Sequence, residues 1–369
     1  MSTRRDGGAP KNGGAARPHI TVRGIYGGVP TTLLPKGKTL ADYGINAVWS
    51  GAGALTRPSV EFLREQKVQV YAEFNTMHHA PFLKDHLDAA PVGSDGRVCP
   101  PPDGWQGICP THPAYRKERM DAFRAALGEF AVDGIWLDYH HSHASWEQAE
   151  PNLPDTCFCA RCLARFQDET GTRLPEAPTP PALAAERLLG PLRAEWTAWR
   201  CALFTDWVRE FRQIRDAVRP VALLGTFHCP WTDTERGGAL THKLAIDLRA
   251  QRAHVDVFSP MPYHARFGHA GDVAWIARQT AWLGRFLGIT GREPGPTTAR
   301  GPKRIWPIVQ LSDWGEAVPL AQVGPVLEAG TRPPVTGVTV FNAGSLQAQA
   351  EKVEALGAFY RGAAAAVAS

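Results

Sequence analysis

Short apolar runs rich in β-branched and aromatic residues alternate along the chain with longer segments of helical period. The first kind is typical of buried strands, and the second is typical of helices that cover a sheet. The pattern predicts eight strands: ITVRGIYGG from Ile20, INAVWSGAG from Ile45, VQVYAEFN from Val68, VDGIWLDYHH from Val132, VALLGTFHC from Val221, VDVFSPMPYH from Val255, RIWPIVQLSDW from Arg304 and VTGVTVFNAG from Val335.

Predicted amphipathic helices separate these strands: PSVEFLREQK, PAYRKERMDAFRAALGEFA, EWTAWRCALFTDWVREFRQIRDAV, GDVAWIARQTAWLGRFLG, LAQVGPVLEAG and AEKVEALGAFYRGA. Eight βα units favour a (β/α)8 TIM barrel, a single catalytic domain over residues 20–369. Long insertions are expected after strands three and four, at about residues 76–112 and 140–192. A doubly wound sheet is the alternative, but no G-x-G-x-x-G turn or P-loop follows the first strand.

The composition of the chain limits which binding partners and cellular locations are expected. The 369 residues carry a formal charge of only +4 without basic runs, which argues against nucleic acid as a partner. Residues 1–19 are rich in Gly, Ala, Arg and Pro, so we expect a disordered arm that is not a secretion signal. No segment has the apolar length of a membrane span, and a cytoplasmic location is therefore expected. The many surface-facing aromatic residues would permit a homo-oligomer.

The barrel prediction directs attention to the carboxyl ends of the strands, where active sites of this fold lie. Asp138 ends an otherwise apolar fourth strand and is the first candidate for catalysis. Asp313, after strand seven, is its predicted partner across the axis, and Glu73 on strand three competes with it as either a functional or an Arg-paired carboxylate. Two carboxyl groups at a barrel mouth are the requirement for cleaving a glycosidic bond.

Further polar and aromatic residues at these ends are predicted to bind substrate: Tyr26, His78, Tyr139, His141, His143, Trp146, His228, Trp231, Tyr263, Gln310, Trp314 and Asn342. Among the 12 Trp, we expect Trp105, Trp146, Trp231 and Trp314 to offer stacking faces for sugar rings or to anchor loops. The histidines also allow an alternative, a metal-dependent hydrolase or isomerase, although no H-x-H ends strand one. A barrel that binds sugars without cleaving them is a third possibility.

Three cysteines lie within six residues in CFCARC, at Cys157, Cys159 and Cys162. Cys201 and Cys229 fall on a predicted helix and strand, which leaves Cys99 and Cys109 as candidates for a fourth ligand. Cys109 is preferred because it precedes the helix that starts at the same barrel mouth. Four thiolates would form a closed, structural zinc site that joins two long loops. Free thiols or a disulfide are the alternatives, and the absence of a signal peptide argues against the disulfide.

CPTHPAYR before a helix and CFCARC after strand four resemble glycoside hydrolase family 42 beta-galactosidases. The resemblance covers about Cys109 to Phe166 and implies a barrel, a zinc ion and Cys109 as the fourth ligand. That family has an Asn-Glu pair at the end of strand four, where this chain has Leu137-Asp138-Tyr139, so its catalytic residues are not carried over.

The strings AEFNTMH, DGIWLDY, HSHASWE and PIVQLSDW resemble barrel proteins described as hypothetical glycoside hydrolases. In alpha-L-fucosidases and alpha-galactosidases an Asp ending strand four is the nucleophile of a retaining reaction, which implies the same role for Asp138 and an alpha linkage. The sequence therefore predicts a retaining glycoside hydrolase that acts on a short carbohydrate, with Asp138 as nucleophile or base and Asp313 or Glu73 as general acid.

Overall fold

A computed structural model describes residues 20–30, 33–100, 107–175, 179–291 and 301–368. The predicted arm of residues 1–19 and the predicted stacking residue Trp105 lie outside the described residues. In the described part of the chain the strands are Val22–Tyr26 (β1), Ala47–Gly51 (β2), Gln69–Asn75 (β3), Gly134–Asp138 (β4), Leu223–His228 (β5), Val257–Pro260 (β6), Arg304–Ile305 (β7), Ile308–Gln310 (β8) and Gly337–Phe341 (β9).

Helices follow most of the strands. They are Arg57–Glu65 (α1), Ala80–Leu83 (α2), Pro113–Glu129 (α3), Ala160–Thr170 (α4), Pro181–Leu189 (α5), Arg193–Val218 (α6), Ala239–His242 (α7), Leu248–Gln251 (α8), Ala274–Leu287 (α9), Val323–Gly330 (α10), Ala343–Leu346 (α11) and Ala350–Ala368 (α12). The six amphipathic segments correspond to α1, α3, α6, α9, α10 and α12. Helices α4 and α5 lie in the long segment after β4 and were not predicted. No helix among the described residues has the length and apolar character to cross a bilayer.

All strand pairs in this sheet are parallel, and the order is β7-β6-β5-β4-β3-β2-β1-β9-β8. The two strands at the ends of this order are separated in sequence only by Trp306 and Pro307. The predicted seventh strand is therefore interrupted, because Pro307 has no N–H to donate to a ladder. Its first half pairs with β6 and its second with β9. The curled parallel sheet with surrounding helices is an α/β fold consistent with a TIM-like barrel.

Large aromatic side chains fill the interior of the curled sheet. Trp49 and Trp136 meet edge to face with ring centroids 5.3 Å apart, and Trp306 stacks on Trp136 at 5.9 Å. Room for these rings comes from glycines on neighbouring strands: a Cβ at Gly225 would lie 2.2 Å from the Trp136 ring, and one at Gly24 would lie 2.3 Å from the Trp49 ring. A closely packed layer of aromatic rings thus fills the interior of the sheet below its carboxyl end.

Candidate active site

Two of the predicted carboxyl groups meet at the carboxyl end of the sheet. Glu73 on β3 and Asp138 at the end of β4 face the interior, because each lies two residues beyond an interior aromatic, Tyr71 and Trp136. Their side chains share a hydrogen bond. The Tyr26 hydroxyl donates to Glu73 Oε2 at 2.8 Å. The structure therefore joins Glu73 and Asp138 directly.

Burial dominates the ionisation of this pair. It raises the pKa of the Asp138 carboxyl well above its usual range, and the charges of Glu73 and Glu147 raise it further. The backbone N–H of Tyr139 donates to Asp138 Oδ1 at 2.8 Å and partly offsets this rise. Burial likewise raises the pKa of Glu73, against the lowering effect of the Tyr26 hydrogen bond. The pair is thus favoured to hold a proton between its two carboxyl groups.

Glu147 adds a third carboxyl group that sequence reasoning missed. It lies between β4 and α4, and burial raises its pKa from 4.5 to about 7, with Arg266 lowering and Glu73 raising it. Asp138 and Glu147 line the same small cavity of about 20 Å³, which is room for one water molecule. Glu147 was within the quoted string HSHASWE, but no periodicity places a loop residue at the mouth.

Four aromatic residues form a wall beside the carboxyl groups: Tyr26, Tyr263, Trp314 and Phe341. Tyr26 stacks on Phe341 with ring centroids 5.5 Å apart, and Tyr263 lies 5.1 Å from the same ring. Trp314 completes the wall at 5.2 Å from Phe341 and 5.5 Å from Tyr263. The buried Gln310 donates from Nε2 to the backbone oxygen of Trp314 at 2.7 Å. Four predicted binding residues are therefore brought together around Phe341, which was not predicted.

Asp313 does not join these carboxyl groups. Its side chain is largely exposed and accepts hydrogen bonds from Lys352 Nζ at 3.0 Å, the Val318 backbone N–H at 2.8 Å and Gln349 Nε2 at 2.8 Å. These donors lower the pKa of Asp313 despite the opposing effect of its slight burial. Asp313 therefore holds the loop after β8 to α12. The predicted pairing with Asp138 is not what the structure shows, because the chain turns outward after β8.

Three other predicted binding residues are engaged in structural contacts. Trp146 is buried and donates from Nε1 to His141 Nε2 at 2.9 Å. Trp231 is also buried, beneath the guanidinium of Arg236, which lies 5.1 Å from the ring centroid. Asn342 Oδ1 accepts from the Ser345 backbone N–H at 2.8 Å and caps α11. None of the three presents a free stacking face or amide to a ligand in this arrangement.

The histidines near β4 are occupied by hydrogen bonds. His141 bonds the Ser142 carbonyl through Nδ1 at 2.7 Å and Trp146 through Nε2, so both ring nitrogens are used. His143 accepts from the Gly107 N–H through Nδ1 at 3.1 Å and donates to the Pro100 carbonyl at 2.9 Å. With both nitrogens engaged, these two rings offer no lone pair to a metal ion. The metal-dependent alternative therefore gains no support from them.

Two further predicted binding histidines lie on different sides of β4. The His78 ring lies 5.1 Å from the ring of Tyr139, whose backbone adopts a left-handed φ of 50° beside Asp138. His228 is buried against Phe258, and its Nδ1 bonds the Cys229 carbonyl at 2.9 Å. His78 and Tyr139 thus belong to the mouth, whereas His228 packs between β5 and β6.

The four predicted ligand cysteines form one cluster. The Sγ atoms of Cys109, Cys157, Cys159 and Cys162 all lie within 4.8 Å of one another. Cys109 Sγ is 3.6 Å from Cys159 Sγ and 3.5 Å from Cys162 Sγ, close to the roughly 3.8 Å between sulfurs bound tetrahedrally to zinc at about 2.3 Å. The Val92 backbone N–H donates to Cys157 Sγ at 3.3 Å, as an N–H does to a ligating thiolate. These residues could hold a metal ion.

His86, Asp88 and His112 also lie close enough together for a metal. The hydrogen bonds oppose that role. His112 Nδ1 accepts from the Tyr115 backbone N–H at 3.2 Å and caps α3, so its Nε2 carries the proton and donates to Asp88 at 3.1 Å. Arg161 donates to the same Asp88 carboxylate at 3.3 Å. This group ties α3 to α4 next to the cysteine cluster.

Comparison with known proteins identifies the fold. No protein-family profile matches the chain, and no curated protein matches its sequence. The glycoside hydrolase domain of PgaB (BpsB) from Bordetella bronchiseptica has a similar structure, with a TM-score of 0.61 and 14% identity over 91% of this chain and 98% of that one.

Two larger glycosidases are also similar in structure. They are the beta-galactosidase of the psychrophilic Marinomonas ef1 (TM-score 0.56, 14% identity over 90% of this chain) and alpha-L-fucosidase isoenzyme 2 of Paenibacillus thiaminolyticus (TM-score 0.52, 11% identity over 91%). The chain spans 59% and 48% of their lengths. The fold is thus one that glycoside hydrolases use, as predicted, while a specific link to family 42 stays a prediction.

Proposed function

We propose that this protein is a glycoside hydrolase whose active site is the carboxyl cluster at the mouth of the sheet. The observation that carries the proposal is the convergence of Glu73, Asp138 and Glu147 beside an aromatic wall, at the strand ends where barrel enzymes bind substrate. A carbohydrate substrate is supported by the glycoside hydrolases that share the fold. Glu147 replaces Asp313 as the proposed partner of Asp138.

The proposed roles follow from the environments of the three groups. Glu147, whose pKa burial raises to about 7, holds a proton in about half of the molecules at neutral pH and suits the general acid that protonates the leaving oxygen. Asp138 is the proposed nucleophile or base. The hydrogen bond with Glu73 raises the pKa of Asp138, and the Tyr26 hydroxyl favours the ionised form of Glu73, so the shared proton is on Asp138 before substrate binds. Glu73 is the proposed acceptor of that proton, which leaves Asp138 ionised for attack. Asp138 as nucleophile gives a retaining reaction.

The aromatic wall suggests how a sugar is held. Tyr26 and Trp314 are half-buried and present ring surface of the kind that stacks on the apolar face of a pyranose. Tyr263 is buried, and Arg266 covers one face of Trp314. The cavity between Asp138 and Glu147 holds about one water and is too small for a sugar ring. We therefore infer that the sugar ring lies along the aromatic wall, outside this cavity. A narrow site of this kind favours a short oligosaccharide or a chain end.

The cysteine cluster is proposed to be a four-thiolate zinc site. Four sulfur ligands leave no open position, so the ion would be structural and would take no part in hydrolysis. Cys109 precedes α3, and the other three lie between β4 and α4 or within α4. The ion would therefore join the two long segments that follow β3 and β4, one of which carries Glu147.

The test is hydrolysis of a panel of aryl alpha- and beta-glycosides by wild type and by Asp138→Asn, Glu147→Gln and Asp313→Asn. Glu150→Gln, exposed on the same loop as Glu147, is the matched control. We expect the first two variants to lose 100-fold or more in kcat, on the order of a missing acid, base or nucleophile, and the control to match wild type.

Three results would overturn the assignment. If Asp138→Asn stays active, the carboxyl pair is not the site. If Asp313→Asn rather than Glu147→Gln is inactive, the acid is misassigned. If folded wild type binds the glycosides without hydrolysing any, the protein is a sugar-binding barrel. Metal content measured on every sample separates these results from loss of the proposed zinc.

A further inference from the structure

Arg266 contacts three segments around the cluster of carboxyl groups. Its guanidinium Nε donates to the Glu147 carbonyl oxygen at 2.6 Å. The same guanidinium lies over the Trp314 ring, 4.8 Å from its centroid. Its backbone N–H donates to Gln310 Oε1 at 3.0 Å, and Gln310 in turn donates to the Trp314 carbonyl oxygen. One side chain thus connects the loop after β6 with Glu147 and with the aromatic wall.

The charge of Arg266 acts on the Glu147 carboxyl group. The positive guanidinium opposes burial and lowers the pKa of Glu147 that burial has raised. Among the residues that the structure describes, the other ionisable groups that interact with this carboxyl or line its cavity are neutral or negative at neutral pH. These groups are Glu73 on β3, Asp138 on β4, Tyr139 and His141 after β4, Tyr26 on β1, Cys229 after β5 and Tyr263 after β6.

We propose that Arg266 is a positioning residue: it fixes the Trp146–Glu147 segment against the aromatic wall and places a positive charge beside Glu147. This inference rests on the proposed function, in which Glu147 is the general acid. Without a compensating positive charge, a half-buried acid beside other carboxyl groups would hold its proton too tightly to transfer it at neutral pH. Arg266 supplies the one compensating charge among the described neighbours and is oriented by its contacts with Glu147 and Trp314.

Arg236 provides a closely matched control. Its guanidinium lies over Trp231, 5.1 Å from the ring centroid, and its Nη2 donates to the Ala149 carbonyl at 2.6 Å. Arg236 therefore also combines a stack on tryptophan with a hydrogen bond to the loop that carries Glu147, only two residues further on. Arg266, rather than Arg236, is the arginine whose charge lowers the pKa of Glu147. Replacing either arginine removes similar contacts, but only one replacement removes the charge near Glu147.

The experiment is a ¹³C NMR titration of side-chain carboxyl groups in protein labelled at glutamate Cδ. Glu147→Gln assigns the Glu147 signal. We expect Arg266→Met to raise the pKa of Glu147 by about half a unit or more, because a neighbouring positive charge is lost. Arg266→Lys keeps the charge and should restore most of the wild-type value, and Arg236→Met should leave it unchanged. Equal values in the two methionine variants would overturn the proposal.

Kinetics give a second measurement on a cleaved glycoside. In Arg266→Met the alkaline limb of the pH profile of kcat/KM should move to higher pH, since this limb reports deprotonation of the general acid. A lower kcat with an unmoved limb in every Arg266 variant would mean that Arg266 only packs the loop. If wild type cleaves no glycoside, the proposed function fails while the titration still decides whether Arg266 controls Glu147. Arg266→Gln, which also removes the charge, serves where the methionine variant does not fold.

Discussion

Glu147 makes a prediction about stability that does not depend on catalysis. A carboxyl whose pKa is raised by folding binds its proton more tightly in the native state, so the native state loses stability as pH rises from the unfolded value of 4.5 through about 7. That difference corresponds to about 3 kcal/mol, at about 1.36 kcal/mol per pKa unit. Because the side chain is only partly buried, we expect about 2 kcal/mol to be observed.

Glutamine has the shape of protonated glutamate and does not titrate. Glu147→Gln should therefore change the free energy of unfolding little at pH 4 and stabilise the protein by about 2 kcal/mol at pH 8. Urea denaturation of wild type, Glu147→Gln and the exposed control Glu150→Gln at both pH values measures this. An identical effect of Glu147→Gln at pH 4 and pH 8 would refute the argument that burial sets the ionisation of Glu147.

Three more predictions concern the interior, a helix and the cysteine cluster. Gly225→Ala should destabilise by about 3 kcal/mol or more in urea denaturation, because the new Cβ would lie 2.2 Å from the Trp136 ring. Gly128→Ala in α3, where a Cβ meets open space, should instead stabilise by up to about 1 kcal/mol; destabilisation would contradict this. Cys159→Ser should lower bound zinc below half of the wild-type content, measured by plasma mass spectrometry, and full retention would contradict the four-thiolate site.

The fold was predictable where local pattern and tertiary packing agree. Apolar runs such as GIWLD and VYAEFN are buried strands, β4 and β3, because alternate residues fill the interior and contact the helices. The interruption of the seventh strand was harder to predict from the sequence. Pro307 is visible in the sequence, but only the tertiary pairing shows that the chain leaves β6 there and joins β9. The residue pattern shows that a segment forms a strand. Which strands it pairs with depends on how the whole sheet closes.

The carboxyl site was likewise predictable only in part from the sequence. Glu73 and Asp138 were identifiable because each interrupts an apolar strand near its end, where a buried charge requires a functional or structural reason. Asp313 satisfied the same criterion and yet caps an outward loop, held by Lys352. A position at the end of a strand fixes roughly where the Cα atom of the residue lies. It does not settle whether the following turn directs the side chain toward the axis or toward a neighbouring helix.

Glu147 illustrates why the remaining part of the site was not predictable. Its position depends on Arg266, 119 residues away, whose guanidinium holds the Glu147 carbonyl. Arg266 is itself oriented by Gln310 and Trp314 from a third segment. Each of these residues is unremarkable in its own sequence context, and their chemistry arises only when three loops meet. A loop carboxyl acquires a raised pKa through the burial that this meeting creates, so the proposed general acid is a property of the assembled site rather than of any sequence motif.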